Sequence, residues 1–320
     1  MKRKYKIYAL LFIFGFLILF YFIDKPAFTN LRDTIFQEAK KAITSVEKEI
    51  KKNNNKVNSA SEIKLSKDLN VLFLDVGQAD AILIKSQNEY MLIDAGNNED
   101  GPLLKDFFND LGIEEFKYVF GTHAHEDHIG GLDDVIKNFK VKNFYMPEEV
   151  TTTQTFVEIL DALEAKKIKF QTPKAGTRLK LGDSTVEVIY VGDNKEELND
   201  TSIIIKLTYK DTSFLFTGDA TSNEEKLFLD KDIQSDVLKV GHHGSRYSSS
   251  QSFLNKVNPD YAIITCAKGN DYDFPHNSTL KRLDKVNAKV YRTDNLGTII
   301  VKSDGKNLTF ENVKTKLNGV

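Results

Sequence analysis

The distribution of histidines constrains this chain more than any other feature. The 320-residue sequence has six histidines, and three of them lie within residues 123–128. Two more are adjacent, at His242 and His243, and the last, His276, follows a proline. Imidazole is the commonest metal-binding side chain in proteins. The clustering therefore predicts a metal centre and favours a metal-dependent hydrolase.

The composition is ordinary for a globular protein. Apolar residues make up 41% of the chain and charged residues 28%. The net charge of −2 gives no general attraction for nucleic acid, although it is compatible with a local basic groove. The lone cysteine, Cys266, cannot form an intrachain disulfide, and its apolar surroundings in the sequence predict a buried side chain.

Residues 1–23 predict a membrane anchor. The run at residues 7–23 is uncharged and follows a basic N-terminus. It is just long enough to span a bilayer, and it is longer than the core of a signal peptide. Because basic residues stay on the cytoplasmic side, we expect a single-pass membrane protein with residues 24–320 outside the cytoplasm. The alternative is a cleaved signal peptide and a secreted protein.

Residues 24–68 predict a stalk and linker before a single domain at residues 69–320. Apolar residues three or four apart between Leu31 and Ile50 favour a helix, which could pack on the domain, form a coiled coil or lie on the membrane. The polar residues 51–61 are typical of a flexible linker. From about Asn70, short β-prone runs with a few helical segments predict an α+β fold of two packed sheets covered by helices.

Apolar periodicity places the individual elements of that domain. It predicts helices at residues 103–111, 129–139 and 155–166. It predicts strands at residues 71–76, 81–85, 90–93, 117–120, 185–191, 202–209, 213–217, 237–240, 260–265, 289–291, 298–302 and 308–311.

The candidate metal ligands each follow one of these predicted strands. The 123–128 cluster follows strand 117–120, Asp219 follows strand 213–217, and the adjacent histidines follow strand 237–240. Side chains at strand ends can converge while the sheet holds them rigidly. We therefore expect these residues to meet at one edge of the fold.

The motifs, in this order, resemble the metallo-β-lactamase superfamily, and within it the hydrolase domain of the ComEC/Rec2 family of competence proteins. The resemblance covers about residues 70–313 and implies an αββα sandwich with the active site along one edge. Ala79 stands where the family usually has glycine, and residues 273–276 read Asp-Phe-Pro-His instead of Gly-His-Pro-His. The segments that carry the resemblance are residues 73–80, 92–96, 123–128, 199–202, 216–220, 238–245 and 291–294 with Gly297.

The resemblance also implies a ligand set. His123 and His125 can meet one ion, Asp127 and His128 can meet a second, and Asp219 could bridge the two. Zinc suits such ligands, as one or two ions, with manganese or iron as alternatives. One residue of the His242 and His243 pair completes the set, with His243 favoured because a glycine follows it. Asn199 or Asp200 would be a weak ligand where many members have a further histidine, or this site would hold its ion loosely.

Other residues receive roles outside the ligand set. Asp127 and His276 are the candidate catalytic residues, and His276 is either the acid that protonates the leaving group or a surface turn residue. Lys239, Ser245 and Arg292 are candidates for binding substrate, although the two basic residues could simply face solvent. Ligating histidines usually have carboxylate partners, and the candidates for that role are Asp75, Asp80 and Asp94.

The predicted function is hydrolysis of phosphodiesters outside the membrane by metal-activated hydroxide. The substrate candidates are nucleic acid, DNA or RNA, and a phosphodiester polymer of the cell wall. Apart from the membrane at its N-terminal helix, no partner is predicted. One alternative is a metal-bound binding protein or degenerate pseudoenzyme, which the short first site and the missing turn histidine favour. The other is hydrolysis of carboxyl or lactam bonds.

Overall fold

Two β-sheets form the centre of the part of the chain that the computed structural model describes, namely residues 63–148, 151–193 and 196–314. The spatial order of the first sheet is β17 (Leu308–Val313), β16 (Thr298–Ser303), β1 (Leu69–Phe73), β2 (Ala81–Ser86), β3 (Glu89–Ala95), β5 (Tyr118–Phe120), β7 (Phe144–Tyr145) and β8 (Phe170–Gln171). Neighbouring strands are antiparallel from β17 to β3 and parallel from β3 to β8.

The second sheet is also mixed. Its order is β15 (Lys289–Arg292), β14 (Tyr261–Ile264), β13 (Val237–Lys239), β12 (Thr212–Phe216), β11 (Ile203–Tyr209), β10 (Ser184–Val191) and β9 (Arg178–Leu181). Strands β12 to β15 are parallel, whereas β9 to β12 are antiparallel. A separate parallel pair joins β4 (Glu115–Phe116) to β6 (Lys140–Val141).

Helices connect the parallel strands. The α-helices are α1 (Gly101–Asp110), α2 (Glu126–Ile129), α3 (Leu132–Asn138), α4 (Gln154–Lys166), α5 (Ser222–Glu225), α6 (Gln251–Val257), α7 (Asn277–Lys285) and α8 (Thr293–Leu296). Short 3₁₀ turns lie at Asn98–Asp100, Leu198–Thr201 and Gly241–Gly244. Helix α6 begins where the Ser250 hydroxyl accepts the amide of Phe253 at 3.3 Å, an ordinary N-cap bond.

Alternating side chains on the strands sort the core into layers. On β12, Phe214 and Phe216 face the first sheet and Leu215 faces the opposite way, as the two-residue period of a strand requires. Residues of α1, α3 and α4 pack on the outer face of the first sheet, and residues of α6 and α7 pack on that of the second. The predicted pair of packed sheets covered by helices is therefore confirmed.

Several predicted elements differ from the observed ones. The helix predicted at residues 129–139 is observed as α3, Leu132–Asn138, and Ile129 is instead the last residue of α2. Gly130 and Gly131 lie between the two helices, where an added Cβ would lie 2.3 Å from Asn98 N and 2.5 Å from Ala95 O respectively. Helices α2, α5, α6, α7 and α8 and the short strands β4, β6, β7, β8 and β9 were not predicted. Most of these segments are too short for a clear periodicity, whereas the nine-residue α7 is amphipathic and was missed although its periodicity is helical.

The described residues lie within one unit of the chain, residues 58–320. Of the predicted stalk and linker, only residues 63–68 are described, and Ile63 packs into the outer core of the first sheet. Among the helices of the described ranges, none has the length and apolarity needed to cross a bilayer. The predicted anchor at residues 1–23 lies outside those ranges.

Candidate metal centre

The ends of parallel strands from both sheets bring the candidate ligands together. In the first sheet, β3 carries Asp94, and the His123–His128 segment follows β5. In the second sheet, Asp219 follows β12, and His242 and His243 follow β13. Carboxyl ends of parallel strands meet at one edge of a sheet, and here the corresponding edges of the two packed sheets face the same site.

The turn that presents Asp219 is tightly built. Gly218 has a φ of +49°, and a Cβ at this position would lie 2.9 Å from the Ser202 hydroxyl. That hydroxyl accepts the main-chain amide of Asp219 at 3.1 Å and donates to the carbonyl of Asn199 at 2.7 Å. The segment before β11 therefore fixes the Asp219 backbone.

The centre of the site consists of Asp127, His128, Asp219 and His243. One ligand atom from each lies within 4.8 Å of all the others. The Nε2 atom of His128 is 3.3 Å from Asp219 Oδ1, and the Nε2 atom of His243 is 3.2 Å from Asp127 Oδ2. His128, Asp219 and His243 are buried, whereas Asp127 keeps partial solvent access.

The buried atoms of this centre fit a metal ion. His128 Nε2, His243 Nε2 and Asp219 Oδ1 are buried and have no hydrogen-bond partner. Buried polar atoms are normally satisfied, so orphaned atoms that converge on one point need an explanation. Two imidazole nitrogens with two carboxylates form a donor set that suits zinc and other first-row metals. The residues present therefore fit a divalent cation.

The electrostatics of the site favour positive charge at the same point. Burial opposes protonation of His128, but the carboxylates of Asp219, Asp127 and Asp94 outweigh it and raise the pKa of His128 well above its usual value. Burial of Asp219 favours its neutral form, yet the neighbouring imidazoles, His128 foremost, hold its pKa well below the usual range. A bound cation would supply this charge and leave the imidazole nitrogens free to bind it.

Polar contacts at Nδ1 orient the two central imidazoles, those of His128 and His243. Asp94 lies with its Oδ2 atom 2.8 Å from His128 Nδ1, and the amide and hydroxyl of Thr122 both donate to this carboxylate at 2.7 Å. His243 Nδ1 donates to the carbonyl of Thr265 at 2.9 Å. Both bonds leave Nε2 directed into the site, which is the usual arrangement around a ligating histidine.

His123 and His125 lie beside this centre. His123 Nε2 is 3.1 Å from His125 Nδ1, and the His123 ring centroid is 4.1 Å from that of His128. Burial and the neighbouring His128 hold the pKa of His123 well below its usual value, so the ring is neutral and able to ligate a metal. The structure thus brings together all the histidines of the first motif.

His242 occupies the border of the site. Its Nε2 atom is 3.8 Å from Asp219 Oδ2, its side chain is partly exposed, and its ring packs edge-on against Phe274 at 5.5 Å. Both His242 and His243 have a φ of +51°, an uncommon conformation for a residue with a side chain. This backbone turns the two rings in different directions, and of the two only His243 belongs to the four-residue centre.

The structure corrects the predicted substrate contact of Lys239. The side chain is buried, and its ammonium lies 2.7 Å from Asp80 Oδ2 and donates to the carbonyl of Val240 at 3.0 Å. Asp80 also accepts the Thr265 hydroxyl and lies 3.5 Å from His243 Nδ1. Lys239 and Asp80 therefore form a buried ion pair next to His243, on the side of the ring away from the metal centre.

Other predicted substrate contacts are also engaged within the protein. Ser245 is buried, and its hydroxyl accepts the amide of Tyr247 at 3.3 Å, so this hydroxyl does not face a substrate. Arg292 makes two bonds to the carboxylate of Asp294, at 2.9 and 2.6 Å. Its guanidinium is held beside its own strand end, and its role in binding phosphate stays a prediction.

The remaining predicted residues lie around the site. Asn199 donates to the Glu197 carboxylate at 3.1 Å and keeps a buried, unpartnered Oδ1. The amide of Asp75 donates to the Thr298 hydroxyl at 3.0 Å. His276 caps the start of α7, and its Nδ1 accepts the amide of Arg246 at 3.0 Å.

Sequence reasoning missed Thr122, Thr265 and Ser202 as residues that orient the site. Each is a small hydroxyl residue beside a predicted strand end, where Thr and Ser are frequent for many reasons. The adjacency of Thr122 to the first histidine was the one available signal. The contact of Thr265 with His243 uses a main-chain carbonyl, which leaves no trace in the side-chain pattern.

Comparison with known families decides the relationship of the chain. The family model of the metallo-beta-lactamase superfamily matches residues 74–268, more than half of the sequence. The chain belongs to the metallo-beta-lactamase superfamily. Together with the donor set at the strand ends, this membership makes it a metal-dependent hydrolase of that superfamily.

Curated relatives of this superfamily member include competence proteins. The chain is 29% identical to ComE operon protein 3 of Bacillus subtilis over 256 residues. This alignment covers 73% of this chain and 33% of the relative. It is 28% identical to Recombination protein 2 of Haemophilus influenzae, over 77% of this chain and 30% of the relative. The chain thus spans about a third of each relative's length. The predicted resemblance to the ComEC/Rec2 family is confirmed.

Solved structures of the superfamily share the fold. The metallo-beta-lactamase fold protein YhfI from Bacillus subtilis superposes with a TM-score of 0.50 at 13% identity, over 76% of this chain and all of that chain. CmlA, a diiron beta-hydroxylase from Streptomyces venezuelae, gives 0.51 at 12% identity, over 78% of this chain and 55% of that one. At these identities the likeness concerns the fold alone.

Proposed function

We propose that this metallohydrolase is a phosphodiesterase that cleaves nucleic acid. The observation that carries the hydrolytic part is the convergence of His128 Nε2, His243 Nε2 and Asp219 Oδ1, all buried and unpartnered, beside the partly exposed Asp127. A ligand set that is closed on its buried side and open to solvent on another is typical of a catalytic metal site.

The chain's own residues would hold and orient the metal. Asp127, His128, Asp219 and His243 would ligate it, and His123 with His125 would complete a second position. A transition-metal ion at this point supplies a water nucleophile at neutral pH and positive charge for the phosphoryl oxygens. Asp94 and the Thr265 carbonyl keep the imidazoles in the required tautomer and direction.

His276 is the residue that we propose to hydrogen-bond the leaving oxygen, which then takes its proton from solvent water. Its Nδ1 accepts the amide of Arg246, so the hydrogen of the neutral ring lies on Nε2 and can be donated in that hydrogen bond. Its ring is 5.1 Å from that of Phe274, which also contacts His242 at the border of the site.

The proposal of a phosphodiester substrate is based on the relatives of this chain. One of them, Recombination protein 2, is named for recombination, and it matches 77% of this chain. We extend this to a nucleic-acid substrate, with a phosphodiester polymer of the cell wall as the second candidate. Both fit the extracytoplasmic location that the N-terminal sequence predicts.

The proposal is tested by assaying the whole 320-residue chain, loaded with zinc or manganese, against several substrates. We expect hydrolysis of bis(p-nitrophenyl) phosphate and of oligonucleotides, and loss of both in Asp219→Asn. Lys206→Met, whose lysine pairs with Asp232, is a control expected to keep activity. Metal binding without turnover of any diester would instead favour a binding protein, and cleavage of a lactam alone would favour the other alternative.

A further inference from the structure

An exposed aromatic pair lies next to the metal centre. The Tyr272 side chain is 64% exposed, although large aromatic side chains usually bury most of their surface. Its ring is stacked on that of Phe274, with centroids 5.3 Å apart and an interplanar angle of 18°. The inner face of Tyr272 is therefore covered, and its outer face is open to a ligand.

This pair is continuous with the histidines of the site. The Phe274 ring lies 6.4 Å from that of His243 at an angle of 23°, so the rings of Tyr272, Phe274 and His243 are roughly parallel. Phe274 also meets His242 edge-on at 5.5 Å. Tyr272 is thus two ring-to-ring steps, of 5.3 and 6.4 Å, from a ligating imidazole, and a flat group stacked on its outer face would be one step farther.

The loop that carries the pair is held in place by Asn270. The Asn270 Oδ1 accepts the amides of Tyr272 at 3.1 Å and Phe274 at 3.0 Å, while its Nδ2 donates to the Phe274 carbonyl at 2.7 Å. On the other side the loop passes close to Gly244, where a Cβ would lie 2.5 Å from Pro275 Cβ, and the Gly244 carbonyl accepts the amide of His276 at 3.0 Å. The platform is therefore formed before any ligand binds.

We propose that Tyr272 and Phe274 form a stacking platform for a base of single-stranded nucleic acid whose phosphodiester lies at the metal centre. This inference rests on the proposed function and deepens it by naming the form of the substrate. Stacking on an aromatic side chain is how proteins commonly hold single strands, because every base offers a π-face.

Single strands suit this platform better than duplexes do. In a duplex both faces of a base are occupied by its neighbours, so no face is available to Tyr272 without unstacking. A wall polymer built on flexible polyols has no planar ring to stack. The exposed Arg246 follows the His242–Ser245 turn, and its main-chain amide contacts His276, whose ring packs on Phe274. A long cationic side chain thus begins next to the platform, where it is available to a backbone phosphate.

The local charge predicts how such binding responds to salt. Asp271 and Asp273 are exposed on the same loop as Tyr272 and offset the charge of Arg246. Few phosphates are then neutralised, and the salt dependence of binding scales with that number. We therefore expect the affinity for single strands to come mainly from stacking and to fall only weakly with added salt.

The test measures binding and hydrolysis with the full chain and two variants of one residue. Tyr272→Ala removes the ring, whereas Tyr272→Phe keeps it and loses only the hydroxyl. With a fluorescent oligo(dT) probe, we expect Tyr272→Ala to bind about 5- to 150-fold more weakly, the range for loss of one base–aromatic stack, and Tyr272→Phe to bind like the natural chain.

Hydrolysis of a small substrate separates this inference from the proposed function. Bis(p-nitrophenyl) phosphate cannot span the metal centre and the platform, so its turnover should be unchanged in Tyr272→Ala, while kcat/KM for oligo(dT) falls. If the natural chain cleaves no diester, the proposed function fails, and the binding comparison still tests the platform. Equal oligo(dT) affinity in all three proteins, or a loss confined to a wall polymer, would overturn the platform as a site for nucleic acid.

Discussion

The ammonium of Lys239 lies 2.7 Å from the carboxylate of Asp80, and both side chains are almost fully buried beneath His243. Burial alone would raise the pKa of Asp80, but Lys239, with His243 and His128, lowers it below the usual value. Lys239 therefore keeps the Asp80 carboxylate ionised beside the His243 imidazole, which faces the metal centre. Neither group is available to a substrate.

Removing the lysine of this pair should destabilise the fold. Lys239→Met leaves the Asp80 charge buried without its main partner, and breaking a buried pair in this way costs about 3–5 kcal/mol. Lys206→Met is the matched control on the same sheet, because its partner Asp232 is solvent-exposed and the expected cost is below about 1 kcal/mol. Urea unfolding of the metal-free proteins measures both. Equal unfolding midpoints for the two variants would refute the structural role.

The two adjacent histidines should differ in their effect on the metal. His243 has its Nδ1 bound to Thr265 and its Nε2 in the centre, so we expect His243→Ala to weaken zinc binding by more than about 100-fold. His242 is farther from Asp219, at 3.8 Å, and we expect His242→Ala to stay within about tenfold. Competition with a chelator gives both affinities. The reverse order would show that the adjacent residue is the ligand.

The sequence was sufficient to predict which segments converge. The ligand motifs follow strands, and strands of alternating apolar residues had to pair into two sheets with those motifs at one edge. Their spacing therefore predicted that the 123–128 cluster, Asp219 and the His242–His243 pair would meet. The same reasoning could not predict which imidazole nitrogen faces inward, because that depends on bonds such as Thr265 to His243, made between separate strands.

The differences from the predictions concern charged and aromatic side chains. Lys239 was predicted to bind substrate, but it is buried and paired with Asp80, far away in sequence. Arg292 is paired with Asp294, two residues on, and its substrate role stays a prediction. Whether a basic side chain faces substrate or a buried carboxylate depends on three-dimensional neighbours. The aromatic pair Tyr272 and Phe274 was not predicted, because an exposed stack in a loop leaves no periodic pattern.

Asp100 should make stability depend on pH in a defined direction. Burial raises its pKa from an ordinary 3.8 to about 6, although the amide of Asn97 opposes this shift. Between these values the folded chain keeps a proton that the unfolded chain releases, so this contribution to stability is present at low pH and lost as pH rises towards 6. Relative to Asp100→Asn, which has no such proton, the natural chain should lose unfolding free energy between about pH 4 and 6. A constant difference across that window, in urea titrations, would contradict this.

His276 should matter most when the leaving group is poor. Because the Arg246 amide occupies Nδ1, the N–H at Nε2 is the donor that can hydrogen-bond a departing alkoxide. His276→Ala should therefore lower kcat for oligonucleotides by about 10²- to 10³-fold, the usual loss when one hydrogen-bond donor to developing negative charge is removed. It should lower kcat for bis(p-nitrophenyl) phosphate far less, since p-nitrophenolate is stable without that hydrogen bond. An equal loss on both substrates would mean that His276 acts by holding the Arg246 turn, because a structural defect does not distinguish between leaving groups.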